Sequence, residues 1–399
     1  MPTPSDTIVR FAPLVAAAER LLSRQAGSSI QFTRVVCLDE EEDRRNRLFR
    51  CTIENPPAGL PASLIIKQVV AENYQPDDVS AWDTMRFFRD WAGAEFLSRL
   101  PGEPGHGPRF YGGDRALGFF ILEDLGQDQR SLVEPLLEGT AADAESALLQ
   151  YMTRLGRMHA NTMGRQTEYQ AILHTANPAL LAVAPEHDRH HQAIDWFCET
   201  LTKLNIEFDS SLLAELHELC THVAEPGDFA AFIHSDPCPD NVLFVNDEVR
   251  LIDYEFARFE HALVDACYPR MYFPTCWCCS RIPQPLVAQL EATYRAELVH
   301  ACPDAADDQC FGQALADVCG AWLLRLAPWQ LASALQEESR WGIASMRSRV
   351  LARLEAFIST ATEFDLLPAY RATASQLLET LQSRWLEVEP LPVYPAFRQ

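Results

Sequence analysis

One stretch constrains the fold of this chain more than any other: residues 231–257, AFIHSDPCPDNVLFVNDEVRLIDYEFA. It contains two short apolar runs, Val242–Val245 and Val249–Ile252, separated by a polar turn of Asn, Asp and Glu. Two such runs with a tight polar turn between them predict a β-hairpin. Because a hairpin returns its two ends to one place, the polar residues that flank it are expected to converge.

The residues at the two ends of this hairpin carry the side chains that phosphoryl transfer requires. Asp236 and Asn241 precede the first strand, and Asp253 ends the second. Transfer from a nucleotide needs one carboxylate that orients or deprotonates the attacking hydroxyl, and hard oxygen ligands that hold Mg²⁺ against the phosphates. We therefore assign Asp236 as the catalytic carboxylate, and Asn241 and Asp253 as catalytic residues that also bind magnesium. The alternative interpretation is that they are ordinary polar residues of a loop and a turn.

The order His234-x-Asp236-x-x-x-x-Asn241, followed by an aspartate on the next strand, has the spacing of the protein-kinase catalytic loop. In detail, the stretch resembles the superfamily of aminoglycoside phosphotransferases and choline kinases, which has a similar loop and a similar ending to Ile252-Asp253-Tyr254-Glu255. No Asp-Phe-Gly and no Ala-Pro-Glu follows, so protein kinases fit less well. The resemblance implies an ATP- and Mg²⁺-dependent kinase that phosphorylates a hydroxyl group of a small, aminoglycoside-, choline- or sugar-like acceptor.

The resemblance also implies an α+β class, the bilobal protein-kinase-like fold. Residues 1–122 would form the nucleotide-binding lobe, a five-stranded antiparallel sheet with one long helix, and residues 123–399 a mainly helical lobe with the catalytic loop and the substrate site. The residue patterns agree with this order. Helices are predicted at residues 6–25 and 79–100, and strands at Ile30–Leu38, Arg47–Ile53, Ser63–Val70, Arg109–Gly113 and Gly118–Leu125.

Lys67 stands in the middle of the apolar strand SLIIKQVV, and the only other lysine of the chain is Lys203. A lysine in a buried strand needs a partner or a ligand, and its compact charge suits the α- and β-phosphates of ATP. The resemblance implies that Glu95, on the following helix, pairs with Lys67. The alternatives are a lysine that faces water and a solvated acid on a helix surface. Less favoured partners for Lys67 are Glu54, Glu72 and Asp90.

The strand GFFILEDLG breaks after its apolar run, and the resemblance implies that backbone groups from Glu123 to Leu125 bind the adenine edge of the nucleotide. The loop at residues 39–46, DEEEDRRN, departs from the superfamily because it is acidic and has no glycine. Kinases cover the phosphates with a glycine-rich hairpin. This departure supports a second hypothesis, a catalytically impaired nucleotide-binding or scaffold protein of the same fold.

Other polar residues receive supporting roles. The resemblance gives Asp265, in the sequence Leu-Val-Asp-Ala, the role of bracing the catalytic loop, and we assign His234 to the same task. His159 is interpreted as a core histidine rather than a catalyst. The cluster at residues 186–191, EHDRHH, is interpreted as a solvated helix start rather than a metal site.

The chain carries a formal net charge of −23. Such a surface repels a phosphate backbone, so nucleic acid is not expected as a partner. Acidity can attract a cationic acceptor or can serve solubility alone, and both interpretations stay open. No apolar run is long enough to span a membrane and no signal-peptide pattern opens the chain, so a cytoplasmic protein without a membrane partner is expected. The oligomeric state is not predicted.

Cysteine is frequent, with 12 residues. In the absence of a secretory signal, all of them are expected to be reduced thiols. A Cys-x-Cys-Cys run within one dense patch lacks the paired spacing of zinc ligands, so a zinc site is disfavoured. The patch consists of Cys267, Cys276, Cys278 and Cys279.

Overall fold

The computed structural model describes residues 9–38, 45–71, 74–102, 105–182 and 187–398, without the side chains of residues 181–191. Most of the acidic loop at 39–46, Glu72 and the side chains of the cluster at 186–191 therefore lie outside the described residues. The chain divides into two compact units, and the predicted lobe boundary at residue 122 stays a prediction. The first unit consists of Met1–Gln129, Thr167–Val183 and Phe244–Ala257, and the second of Arg130–Gln166, Ala184–Leu243 and Arg258–Gln399.

The first unit contains a five-stranded antiparallel sheet and two long helices. In chain order these elements are α1 (Ala12–Ala26), β1 (Phe32–Cys37), β2 (Asn46–Ile53), β3 (Ser63–Val69), α2 (Trp82–Ser98), β4 (Phe110–Asp114) and β5 (Phe119–Glu123). Across the sheet the strand order is β1-β2-β3-β5-β4. The predicted strands and helices are present, and the α+β, protein-kinase-like class with a five-stranded antiparallel sheet is confirmed.

The two helices cover opposite faces of this sheet. On β5, Phe119 and Ile121 belong to the same buried core as the apolar side chains of α1. Phe120, between them, contacts the rings of Phe87 and Trp91 on α2, with centroids 5.6 and 6.2 Å away. Successive side chains of a strand point to opposite faces, so this alternation places α1 on one face and α2 on the other.

The α2 helix approaches the sheet closely, and one glycine makes this possible. A methyl group at Gly113 would lie 2.5 Å from the ring of Trp91, too close for any side chain at this position. In the register of β3 and β5, Lys67 is the partner of Phe120. Partners in an antiparallel pair share a face of the sheet, so the side chain of Lys67 lies on the α2 side.

The second unit is mainly helical. The remaining helices in chain order are α3 (Val133–Leu137), α4 (Ala141–Thr162), α5 (Gln166–Ala176, most of which belongs to the first unit), α6 (His187–Lys203), α7 (Ser210–Ala224), α8 (Leu263–Ala266), α9 (Gln284–Leu298), α10 (Asp308–Leu326), α11 (Ala332–Gln336), α12 (Met346–Glu363) and α13 (Pro368–Arg384). Within the described residues, no helix is both long enough and apolar enough to cross a membrane.

The remaining strands are short, and four of them lie in or directly beside residues 231–257. They are β6 (Arg130–Ser131), β7 (Ala230–Ile233), β8 (Val242–Val245), β9 (Glu248–Leu251), β10 (Arg258–His261), β11 (Arg340–Trp341) and β12 (Ala344–Ser345). β7 pairs antiparallel with β10 in the second unit. β8 and β9 are hydrogen-bonded neighbours, joined by Asn246 and Asp247 with φ of 51° and 63°. Two consecutive positive φ values are those of a tight hairpin turn, so the predicted hairpin is confirmed.

Candidate active site

In the first unit, Lys67 is held between two carboxylates. Its Nζ atom lies 2.6 Å from Asp90 Oδ2 and 2.5 Å from Asp253 Oδ1. Burial by itself lowers the pKa of Lys67, but the charges and hydrogen bonds of the two aspartates outweigh it and raise the pKa above its usual value. For Asp90, burial raises the pKa and the Lys67 charge opposes that rise. The lysine is therefore charged, and it joins a strand, a helix and the residue that follows the hairpin.

The helix residue that pairs with Lys67 is Asp90 rather than the predicted Glu95. Asp90 is 4% exposed and points to the sheet. Glu95 instead accepts a hydrogen bond from Trp91 Nε1 at 2.9 Å and pairs with Arg99, the residue that follows the helix. Each residue of an α-helix is rotated by about 100° from the previous one, so five positions move the side chain of Glu95 to a different side of α2.

Asp253 combines an unusual backbone conformation with a partly exposed side chain. Its φ is +69°, in the left-handed region that few residues other than glycine, asparagine and aspartate adopt. The next residue, Tyr254, donates its backbone N–H to Asp90 Oδ1 at 2.9 Å, which holds this turn in place. About a third of the Asp253 side chain, 32%, is exposed. One carboxylate oxygen contacts Lys67, and the group remains accessible to a cation.

In the second unit, the loop that follows β7 is anchored through its backbone. Asp265 accepts hydrogen bonds from the N–H groups of His234 and Ser235, at 2.6 and 2.9 Å. His159 Nε2 lies 3.3 Å from the same carboxylate, and its Nδ1 atom is 2.7 Å from the hydroxyl of Tyr294. All of these groups are buried. The bracing role implied for Asp265 and the core position of His159 agree with these contacts.

The side chains of Asp236 and Asn241 are placed by this loop and by a segment downstream. The hydroxyl of Thr275 donates to Asp236 Oδ1, and Asn241 Nδ2 donates to the backbone carbonyl of Asp236 at 3.0 Å. The Asn241 side-chain oxygen accepts no hydrogen bond from any residue that the structure describes. Asp236 is thus oriented by a hydroxyl, and the Asn241 side chain by the loop backbone.

Two buried tyrosines and two buried arginines support this arrangement, and sequence reasoning missed all four. Tyr268 donates to the Ser235 carbonyl at 2.8 Å, and Tyr151 to the Pro237 carbonyl at 3.2 Å. Arg349 donates to the carbonyls of residues 276, 277 and 341, and Arg353 to that of Pro274 at 2.6 Å. Burial lowers the pKa of Arg353 to about 10. No local sequence signal marks these residues, because their partners lie far along the chain.

The loop also carries a disulfide, between Cys238 and Cys276. The prediction that all cysteines are reduced thiols is therefore wrong for these two, while the remaining ten form no disulfide. Folding brings the two Cα atoms to 5.6 Å, a separation suited to a disulfide, although the residues are 38 positions apart in the sequence. Spacing alone gave no indication of this pair. The sulfur of Cys238 lies 3.2 Å from Asp236 Oδ1.

Loss of this disulfide is expected to destabilise the protein. In the chain-entropy model, a cross-link that closes a loop of 38 residues contributes about 4 kcal/mol to the free energy of unfolding. Urea denaturation of the Cys238→Ser/Cys276→Ser variant, against the exposed single replacement Cys310→Ser, measures this contribution. Titration of thiols in the unfolded, unreduced protein should find ten; a count of twelve would show that the disulfide does not form.

The predicted adenine-binding segment ends β5 in the first unit. The Glu123 N–H donates to the Arg109 carbonyl at 2.8 Å and is therefore already used. Asp124 is fixed by Arg50 at 2.7 Å, and hydrogen bonding from Arg50 and Ser63 more than offsets the effect of burial, so the pKa of Asp124 is lowered. The N–H and C=O groups of Leu125 have no hydrogen-bond partner among the described residues. Within this segment the Glu123 N–H is therefore engaged, and the Leu125 backbone is not engaged by any described residue.

These features define an α+β, protein-kinase-like fold with a buried lysine between two aspartates in one unit and an anchored Asp-Asn loop in the other. Several solved structures are similar to the chain over most of its length. A Plasmodium vivax ethanolamine kinase is 10% identical, with a TM-score of 0.48 and coverage of 90% of this chain and 88% of that one. A choline/ethanolamine kinase family protein from Mesorhizobium loti is 13% identical, with a TM-score of 0.45 and coverage of 91% and 99%.

An aminoglycoside phosphotransferase in a ternary complex with streptomycin and ATP is 14% identical, with a TM-score of 0.43 and coverage of 81% of this chain and 96% of that one. No family model matches the sequence. No curated protein is similar to it at a significant level. Identities this low do not carry a substrate from these enzymes to this chain.

Proposed function

We propose that this protein is an ATP- and Mg²⁺-dependent phosphotransferase that moves the γ-phosphate of ATP to a hydroxyl group of a small molecule. The observation that carries the proposal is Lys67 held between Asp90 and Asp253 in a largely apolar strand. Burying Lys67 and Asp90 is costly, and such an ion pair adds little net stability over apolar side chains. Their presence beside a partly exposed carboxylate is explained by a charged ligand such as a nucleotide with its metal.

Each residue has a distinct role in this proposal. Lys67 holds the α- and β-phosphates, and Asp90 keeps the lysine in position. Asp253 and Asn241 would hold Mg²⁺ through hard oxygens, the donor type that this ion prefers. Bound magnesium supplies charge neutralisation to the phosphates. Asp236 orients or deprotonates the acceptor hydroxyl.

The nucleotide base has a candidate partner in the segment Glu123–Leu125. Because the Glu123 N–H is bonded to Arg109, we assign the adenine edge mainly to the free N–H and C=O groups of Leu125. Backbone recognition of this kind needs no special side chain, which is consistent with a leucine at the position. Glu95, by contrast, has no part in nucleotide binding here, since Asp90 takes the role that was expected of it.

The acceptor is proposed to be a hydroxylated, cationic small molecule. In the second unit, Trp277 follows the disulfide-bonded Cys276 and is 36% exposed. Its Nε1 atom donates to Asp240 Oδ2 at 3.0 Å. An exposed indole face next to a carboxylate suits an organic cation, through cation–π attraction and ion pairing. Asp240 lies in the same loop as Asp236, which would put such a cation near the catalytic carboxylate.

Release of ADP, measured with and without Mg²⁺ against a panel of hydroxylated amines, sugars and antibiotics, tests the proposal. The expected result is Mg²⁺-dependent turnover with at least one acceptor. Lys67→Met should lose most of this turnover. Lys203→Met is its matched control and should keep it, because Lys203 is the only other lysine and its side chain is 72% exposed. Binding of ATP without any turnover would favour the second candidate, an impaired nucleotide-binding protein, which is supported by the acidic, glycine-free loop at 39–46.

Replacing Asp253 should abolish Mg²⁺-dependent nucleotide binding. Asp253→Ala removes the carboxylate, and Asp253→Asn removes its charge while keeping a residue that tolerates positive φ. Calorimetric titration of ATP with and without Mg²⁺ measures the effect. Asp365→Ala is the control, since Asp365 also has positive φ and its side chain is 91% exposed. If both Asp253 variants keep wild-type affinity and metal dependence, Asp253 is not a metal ligand.

A further inference from the structure

We infer that Arg86 and Glu255 are positioning residues that align Asp253 for its metal, an inference that rests on the proposed function. Arg86 lies one turn before Asp90 on α2, and Glu255 lies two residues after Asp253. Arg86 Nη2 pairs with Glu255 Oε1. The two side chains are 8% and 10% exposed, so this ion pair is buried.

Together with Asp90, this pair makes α2 contact the turn at 253–255 in two places. Asp90 accepts the backbone N–H of Tyr254 at 2.9 Å, and Arg86 binds the side chain of Glu255. Asp253 itself has a φ of +69°, a conformation that persists only when the surroundings hold it. The two contacts on the same face of one helix supply that restraint, on the residues that immediately follow Asp253.

The surroundings of Arg86 fix its guanidinium plane. The guanidinium carbon lies 4.9 Å from the ring centre of Phe256 and 5.9 Å from that of Trp82, distances of cation–π contacts. Nε and Nη1 have no partner within the described residues. These atoms adjoin a small cavity that is lined by Arg45, Asn46, Val69, Asp83, Phe87, Asp90 and Glu255. Within the part of the chain that the structure describes, Glu255 is thus the one carboxylate with which Arg86 pairs.

The charged side chains around Lys67 and Arg86 explain how the Arg86–Glu255 ion pair affects the binding of a cation. Lys67 and Arg86 bring two positive charges, and Asp90, Asp253 and Glu255 bring three negative ones. With Arg86 bound to it, Glu255 is neutralised and held away from the metal. Without Arg86, an unpaired Glu255 would lie two residues from Asp253 and would repel it or compete for the cation. Arg86 therefore selects Asp253 as the carboxylate that meets magnesium.

The test uses the full chain with two readouts. The first is the apparent Mg²⁺ affinity, measured by titrating MgCl₂ into protein with a saturating non-hydrolysable ATP analogue. The second is amide hydrogen exchange of residues 253–256 in the metal-free protein, which needs no activity. Residues that orient metal ligands typically change metal affinity by about 10- to 100-fold. We expect Arg86→Met and Glu255→Gln each to weaken Mg²⁺ within this range and to speed exchange at Tyr254 by about tenfold.

Three comparisons separate positioning from a general loss of stability. Arg86→Lys should restore part of the Mg²⁺ affinity that Arg86→Met loses, and the exchanged pair Arg86→Glu/Glu255→Arg should bind Mg²⁺ better than either of its single changes. Arg270→Met breaks another buried Arg–Glu pair, Arg270–Glu291 in the second unit. It should lower thermal stability without changing Mg²⁺ affinity.

Folded Glu255→Gln protein with wild-type Mg²⁺ affinity and wild-type exchange would overturn the inference, and so would an exchanged pair no better than the single changes. If Arg86→Met does not fold, the Glu255→Gln and Arg86→Lys variants decide the question by the same measurements. A wild-type protein that binds no Mg²⁺ with the ATP analogue would instead refute the proposed function, so the two failures are distinguishable.

Discussion

Asp236→Asn is expected to lower kcat by about 10²-fold or more while leaving the fold and the nucleotide affinity unchanged. The substitution keeps the shape of the side chain and removes its charge and basicity. Asn can still accept the hydrogen bond from Thr275, and the loop backbone remains held by Asp265 through the N–H groups of His234 and Ser235. The loss should therefore appear in the chemical step alone.

Steady-state kinetics with an accepted substrate, together with calorimetry of MgATP binding, measures these two quantities. Asp240→Asn is the control in the same loop: Asp240 is exposed and contacts Trp277, so its replacement should raise the KM for a cationic acceptor and leave kcat nearly unchanged. Turnover of Asp236→Asn near the wild-type rate would remove Asp236 from the catalytic role.

Lys67→Met is expected to cause a large loss of kcat/KM for ATP and a loss of stability of about 3 kcal/mol. Methionine keeps the length and the apolar character of the lysine stem, but the charge between Asp90 and Asp253 disappears. Asp90 is buried, and two carboxylates without a cation between them repel each other. Burial already raises the pKa of Asp90, so the variant should take up a proton there.

A second substitution separates the two effects of losing the lysine. In Lys67→Met/Asp90→Asn the unpaired buried charge is absent, so chemical denaturation should show recovered stability, whereas ATP titration should still show weak binding. Lys203→Met should match the wild type in both measurements. Wild-type ATP kinetics in Lys67→Met would contradict the assignment of the nucleotide site, because no other lysine is available in that part of the chain.

Much of the fold was predictable from local patterns. The short apolar runs of β3 and β5, and the helical spacing in α1 and α2, are properties of neighbouring residues and are therefore visible in the sequence. The hairpin was predictable for the same reason, since two adjacent positive-φ residues, Asn246 and Asp247, are types that tolerate the turn. The candidate catalytic residues stood out because their order along the chain is itself the signal.

The partners of these residues were not predictable in the same way. Glu95 and Asp90 are both acids on α2, and only the rotation of the helix against the sheet brings Asp90 to Lys67. The resemblance implied Glu95 as the partner of Lys67, and this prediction is wrong. Arg86 carried no signal at all, because its partner Glu255 is 169 residues away and a buried ion pair depends on packing from several elements.

The sequence by itself thus determined the strands, the helices, the hairpin and the identity of Asp236, Asn241, Asp253 and Lys67 as candidates, because each follows from short-range order. Only the tertiary structure decided which carboxylates meet Lys67, and it alone paired Cys238 with Cys276 across 38 positions. The physical reason is that contacts between distant residues depend on how helices rotate and strands register against each other. Packing of side chains in three dimensions sets the rotation of the helices and the register of the strands. The spacing of residues along the chain does not specify either of them.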